Sequence, residues 1–108
     1  MLKRALNLAL VLLSLSTFAH AGPYNAVLVY GDSLSDNDDL FAATGQPGAT
    51  YFQGRRSDGP VAVEQLAAAL GAPLIDFAWL GATSGSGNYA DGGTPTTSGL
   101  ISLPGMQA

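Results

Sequence analysis

Apolar and polar positions alternate along this chain in blocks that change character abruptly. Residues 26–30, Ala-Val-Leu-Val-Tyr, form a continuous apolar, β-rich run of the kind found in strands buried on both faces of a parallel sheet. Gly31-Asp32-Ser33 breaks the run. From Leu34 the apolar Leu34, Leu40 and Phe41, with Asp36, Asp38 and Asp39 between them, predict a short helix. Its acids lie in the first turns, where the helix dipole favours them, and Gly45 stops it. Residues 45–57 are loop by composition, with Tyr51 and Phe52 expected to anchor into the core. Asp58 is the expected N-cap, with Pro60 at or near the first helical position, of a second helix through VAVEQLAAAL that Gly71 closes. Val61, Val63, Leu66, Ala67 and Leu70 give that helix a broad apolar stripe. Residues 73–78 predict a second short buried strand.

After Leu80 the periodicity disappears. Residues 81–99 are rich in Gly, Ser and Thr, and a compact domain holds so long an irregular segment chiefly where it is functional or disordered. Two strands separated by helical segments predict a βαβ unit and a parallel sheet. Two strands are too few for a stable sheet of this kind, and SGLISLPGMQA ends where another element begins. The expectation is an α/β domain of which residues 22–108 are the N-terminal part.

The first 21 residues read differently from the rest. Lys3 and Arg4 precede an apolar stretch from Ala5 to Thr17, and Ala19-His20-Ala21 is an A-x-A cleavage site, the pattern of a secretory signal peptide. The apolar stretch is shorter than the ~20 residues a membrane-spanning helix needs, so a retained anchor is the lesser alternative. Cleavage after Ala21 predicts a secreted, periplasmic or extracellular protein without a stable membrane span.

Cleavage also removes the lysine, Lys3, and the one histidine, His20. Residues 22–108 carry two arginines, Arg55 and Arg56, against eight acids, a formal charge of −6. Such a surface repels phosphate backbones and anionic membranes, which excludes nucleic acid as an expected partner. There is no cysteine, so the exported chain is stable without disulfides.

Ser33 follows the first strand by two residues. In doubly wound sheets ligands sit at the carboxyl ends of the strands, and a serine opening a helix there meets outward-facing N–H groups and the positive end of the dipole. That setting suits a nucleophile, because preorganised N–H donors meet the charge developing on a substrate oxygen. The plain alternative is an ordinary N-cap at Ser33 and an ordinary turn residue at Asp32.

Gly31-Asp32-Ser33-Leu34-Ser35-Asp36 resembles the signature of the GDSL lipases and acylhydrolases, the SGNH hydrolase superfamily. Two further stretches are similar to that family in the same order: Gln53 to Ala67, with its Gly-Arg, polar turn and Val-x-x-Leu-Ala helix, and Asp76 to Thr83, similar to a block usually written around Asn-Phe-Ala-x-Gly-Gly-Ala. The resemblance covers residues 26–84. It implies a three-layer α/β/α flavodoxin-like parallel sheet, of which the first βαβ portion is present here, and a carboxylic ester hydrolase working through an acyl-enzyme on Ser33.

Ser33 would be the nucleophile and lend its N–H to the oxyanion hole, and Gly81 would supply a second N–H. Asp32 and Asp36 are expected to order the loop by accepting backbone hydrogen bonds. No cofactor or metal is implied; Asp36, Asp38 and Asp39 do not match the EF-hand template, which needs a glycine after the third ligand position and a distal Glu. The expected substrate is a small-molecule, lipid or carbohydrate ester. One of Arg55 and Arg56 is expected to pair with a loop acid rather than bind substrate.

The family's Gly-x-Asn-Asp block and closing Asp-x-x-His are not found. Gly87-Asn88-Tyr89 lies too early and lacks the acid, and no histidine occurs after residue 20. A serine without a general base is a poor nucleophile at neutral pH, so residues 22–108 do not complete a triad. The rival from another class is an exported binding or surface module that keeps the fold without the chemistry. An anion site at the Gly31 turn is weaker, since one short glycine turn falls short of a P-loop.

Overall fold

The computed structural model describes residues 23–108; the expected signal peptide, residues 1–21, lies outside them. The described residues form a small α/β unit with two parallel strands and two helices. Strand β1 is Val27–Val29 and β2 is Leu74–Asp76, with helix α1 (Asp39–Thr44) and helix α2 (Ala62–Leu70) between them in the chain. Val27 pairs with Leu74, Leu28 with Ile75 and Val29 with Asp76. The ladder continues past both ends, through Val27 N–H to Pro73 O (2.8 Å), Phe77 N–H to Val29 O (2.8 Å) and Trp79 N–H to Gly31 O (3.2 Å). Parallel pairing demands a long crossover, and the helical segment between the strands supplies it.

Helix α2 packs against both strands. It begins later than Asp58, at an N-cap of Val61. The residue before a proline is driven out of the helical region, so Gly59 cannot start a helix that continues through Pro60. Val61 has no side-chain acceptor to cap with. Instead Glu64, three residues on, reaches back to accept the Val61 N–H at 2.8 Å. Arg55 holds Glu64 in place, its Nε donating to Oε2 at 3.1 Å and its Nη2 to Oε1. The cation of the expected ion pair is therefore Arg55, and its partner is a helix acid rather than a loop acid. Gly71 closes the helix in the left-handed conformation.

The core contains Val29, Leu40, Val61, Ala67, Ala78, Ala82 and Leu103. Of the predicted stripe on α2, Val61 and Ala67 are buried, while Leu66 is exposed. Tyr51 is also exposed, so of the two predicted loop anchors Phe52 alone is half-buried, beneath the Arg55 guanidinium. The strands are not covered on both faces as their apolar runs predict. Leu28 (57 % exposed), Tyr30 (64 %), Ile75 and Phe77 stand on the side away from buried Val29, with the Tyr30 and Phe77 rings stacked at 5.1 Å. Nothing among the described residues covers that face.

Residues 81–107 carry few regular elements but are tightly cross-linked. Asn88 is fully buried, its Nδ2 donating to Leu80 O and Pro104 O, each at 3.1 Å, while its Oδ1 accepts the Ala90 N–H at 2.8 Å. The Asp91 carboxylate accepts N–H groups from Gly93, Ile101 and Leu103. The glycine-rich composition is steric, since a Cβ on Gly85 would fall 1.8 Å from Pro95 O.

Glu64→Ala removes both the back-bond to Val61 and the anchor of Arg55. It is expected to lower the unfolding free energy of the intact protein by about 1–2 kcal/mol in chemical denaturation, with Glu64→Gln losing less because it still accepts from Val61.

Candidate active site

Two loops leave the carboxyl ends of the strands side by side. The first, 31–38, is a tight turn: Asp32 O accepts the N–H groups of Ser35 and Asp36, both at 3.0 Å, and Asp32 Oδ1 accepts Leu34 N–H at 3.1 Å. No helix starts at Leu34, which is 80 % exposed; α1 begins at Asp39. The cause is Asp36. Its carboxylate takes the N–H groups of Asp38 (2.9 Å), Asp39 (2.7 Å) and Leu40 (3.3 Å), so the first turn of α1 forms on that side chain.

The second loop, 77–82, is tied to the first by the same carboxylate. Leu80 N–H donates to Asp36 Oδ2 at 2.6 Å across 44 positions of sequence. Asp36 is 1 % exposed. A buried carboxylate with four N–H donors is a satisfied acceptor rather than a reactive group.

Ser33 sits in the first loop, half-buried, in a single hydrogen-bonded turn rather than at the N-terminus of a longer helix. Any dipole acting on it is correspondingly that of one turn. Among the described residues neither its N–H nor its Oγ has a hydrogen-bond partner, and the same holds for the N–H of Gly81. Gly81 has φ +83°, and a Cβ there would lie 2.4 Å from Asn88 Oδ1, so glycine is required on two counts. The buried Asn88 that excludes the side chain also holds Leu80 O on the other side of the same peptide.

Burial pushes the Asp39 carboxyl above its ordinary range, with the Asp36, Asp38 and Asp76 carboxylates adding to the effect. Asp76 is likewise raised, chiefly by burial, although the Ala78 N–H bound to its Oδ1 at 2.9 Å works the other way. Asp76 Oδ2 is buried with no partner among the described residues. Asp91 is held below the usual carboxylate range, first by the Leu103 N–H. Glu64 is lowered by its hydrogen bonds from Arg55. Among the described residues no group of three or more His, Cys, Asp or Glu side chains is arranged to hold a metal ion, and no helix is long and apolar enough to cross a membrane.

The structure thus brings together the loops that carry Ser33, Asp32, Asp36 and Gly81. Asn88 and Asp91, which organise the second loop from behind, have no signal in the sequence beyond their place in a glycine-rich run.

No family model matches the chain. Among curated proteins it is similar to alpha-L-fucosidase 3 of Arabidopsis thaliana, with 37 % identity over 94 residues, a match that covers 77 % of this chain and 25 % of that protein. The chain spans about a quarter of the length of the curated relative it matches.

Asp76→Asn keeps an oxygen for the Ala78 N–H, places the amide nitrogen where the unpaired Oδ2 was, and removes a charge that burial disfavours. It is expected to raise stability at neutral pH by about 1 kcal/mol. Because a carboxyl whose pKa is raised on folding weakens the fold increasingly from its ordinary value up to the raised one, the advantage over the native protein shrinks as pH falls through the raised value and is gone below the ordinary one. The contributions of Asp91 and Glu64 run the other way, present above the unfolded carboxyl range and lost as pH falls through their lowered values. Denaturant midpoints between neutral and acid pH check both signs.

Proposed function

We propose that residues 22–108 are the N-terminal part of an exported serine esterase or lipase of the GDSL type, with the three-layer α/β/α sheet that the motifs imply. The observation that carries this reading is the turn at the end of β1, where Ser33 presents a hydroxyl and an N–H that the rest of the described chain leaves unpaired, in a loop that Asp36 ties to the loop carrying the unpaired N–H of Gly81. Ser33 Oγ would attack the ester carbonyl carbon and pass its proton to a base, while the carbonyl oxygen takes up negative charge facing the two N–H groups. The alcohol would leave, and water would then release the acid. The base and its orienting carboxylate would come from a histidine and an aspartate beyond residue 108. The apolar face of Leu28, Tyr30, Ile75 and Phe77 fits the same reading, since a three-layer fold covers both faces of its sheet.

A second reading is hydrolysis of a glycosidic bond, favoured by the match to alpha-L-fucosidase 3. Glycosidases typically use a pair of carboxyl groups as acid and base or nucleophile. Asp36 is a poor fit for either role because four N–H donors already occupy it.

A fluorophosphonate probe is expected to label the full-length protein at Ser33. Ser33→Ala, which deletes no hydrogen bond of the fold, is expected to abolish the label and to lower turnover of p-nitrophenyl butyrate by at least about a thousandfold. Labelling that survives the substitution contradicts the assignment. Turnover of p-nitrophenyl α-L-fucoside that survives Ser33→Ala, without ester hydrolysis, favours the second reading. No labelling and no turnover of either substrate favours a binding module.

A further inference from the structure

Arg56 stands apart from the rest of the charge pattern. Its neighbour Arg55 is committed to Glu64, whereas the Arg56 side chain has no hydrogen-bond partner or counter-ion among the described residues. It lies instead, exposed, at the edge of an open cavity of about 330 Å³ whose other walls are Leu40, Gln46, Pro47, Tyr51, Leu80 and Ala90. Leu40 and Leu80 are two of the four residues whose N–H groups Asp36 gathers. Ala90 N lies 3.0 Å from where a Cβ on Gly81 would fall. The cavity therefore flanks the second loop beside Gly81.

A largely apolar cavity with the Gln46 amide and one unmatched guanidinium on its wall is complementary to a ligand with an apolar body and an anionic end. Guanidinium is weakly hydrated and presents a planar fork that fits carboxylate and phosphate oxygens. The low polarity of the Leu, Pro and Tyr wall strengthens such a contact. The chain's net negative charge acts against anions only at longer range, where salt screens it beyond ~10 Å. Tyr51, exposed despite its size, supplies a flat apolar surface for the body of the ligand.

We infer that this cavity binds an amphiphilic anion, its apolar part against Leu40, Leu80 and Tyr51 and its carboxylate or phosphate on Arg56. Resting on the esterase reading, the implied substrate class is an ester carrying such an anionic group beside its acyl or alcohol part, and Arg56 sets the preference for it.

Binding can be measured without any hydrolysis, so this inference and the esterase reading fail separately. Isothermal titration of the full-length protein with 4-phenylbutyrate, 4-phenylbutyl phosphate and the neutral 4-phenylbutyramide is the test. At least one anion is expected to bind about tenfold or more tightly than the amide, and the arm that does so identifies carboxylate or phosphate. Arg56→Gln is expected to bring that anion to the level of the amide, and Arg56→Lys to fall between because it keeps the charge without the fork. Ala90→Leu, which fills the cavity, is expected to weaken all three. Equal binding of anions and amide by the native protein, absence of binding, or an anion preference that survives Arg56→Gln overturns the inference. Selective binding by a protein whose Ser33 takes no fluorophosphonate leaves the anion site standing and removes the esterase reading.

Discussion

The Asp36 carboxylate, 1 % exposed, accepts backbone N–H groups from Asp38, Asp39, Leu40 and Leu80. Three of these bonds start α1, and the fourth joins the loop after β1 to the loop after β2. The strand ladder, extended by Trp79 N–H to Gly31 O, joins the two loops at their roots, and the bond from Leu80 N–H to Asp36 ties them again beyond the sheet. Removing the carboxylate would leave four N–H groups without their acceptor, and a buried donor left unpaired costs more than a typical hydrogen bond contributes. The position of Ser33 relative to Gly81 thus depends on a side chain that takes no part in the proposed chemistry.

A second layer holds the Gly81 loop from behind. Asn88 pins Leu80 O and Ala90 N–H, and its Oδ1 occupies the space a side chain at 81 would need. Asp91 gathers three N–H groups from Gly93, Ile101 and Leu103. These buried polar groups do what an apolar core does elsewhere, fixing one conformation by leaving the backbone few other ways to satisfy its donors. The cavity beside this loop takes Leu80 and Ala90 from it and Leu40 from α1. The same bonds that position the Gly81 N–H therefore shape the neighbouring wall.

Much of the fold was legible in the sequence because it is written in short-range signals. The apolar runs at 26–30 and 73–78 contain β1 and β2, and Gly45 and Gly71 end the helices as left-handed caps. The misplaced boundaries have local causes. Asp58 looked like a cap, but the Gly59-Pro60 pair blocks a helix there, and Glu64 moves the start to Val61. Leu34 looked helical, but Asp36 captures the N–H groups that a longer helix would have aligned. Tyr51 reads as an anchor by hydrophobicity, yet it lines an open cavity. The order within 81–107 was not legible, because it comes from buried Asn88 and Asp91 and from backbone contacts that composition does not encode. At the site, Ser33, Asp32, Asp36 and Gly81 stood out by motif, whereas the tie between the two loops is a contact over 44 positions that no local pattern reveals.

Amide hydrogen exchange in the intact protein tests the central claim, that Asp36 clamps the two loops while the N–H groups of Ser33 and Gly81 stay free. Leu80 and Asp39 amides are predicted to be protected and those of Ser33 and Gly81 to exchange fast, with Asp36→Ala, which removes both acceptor oxygens, releasing Leu80 and Asp39 together. A Leu80 amide that exchanges as fast as Ser33 and Gly81 in the native protein, or one whose protection is untouched by Asp36→Ala, contradicts it.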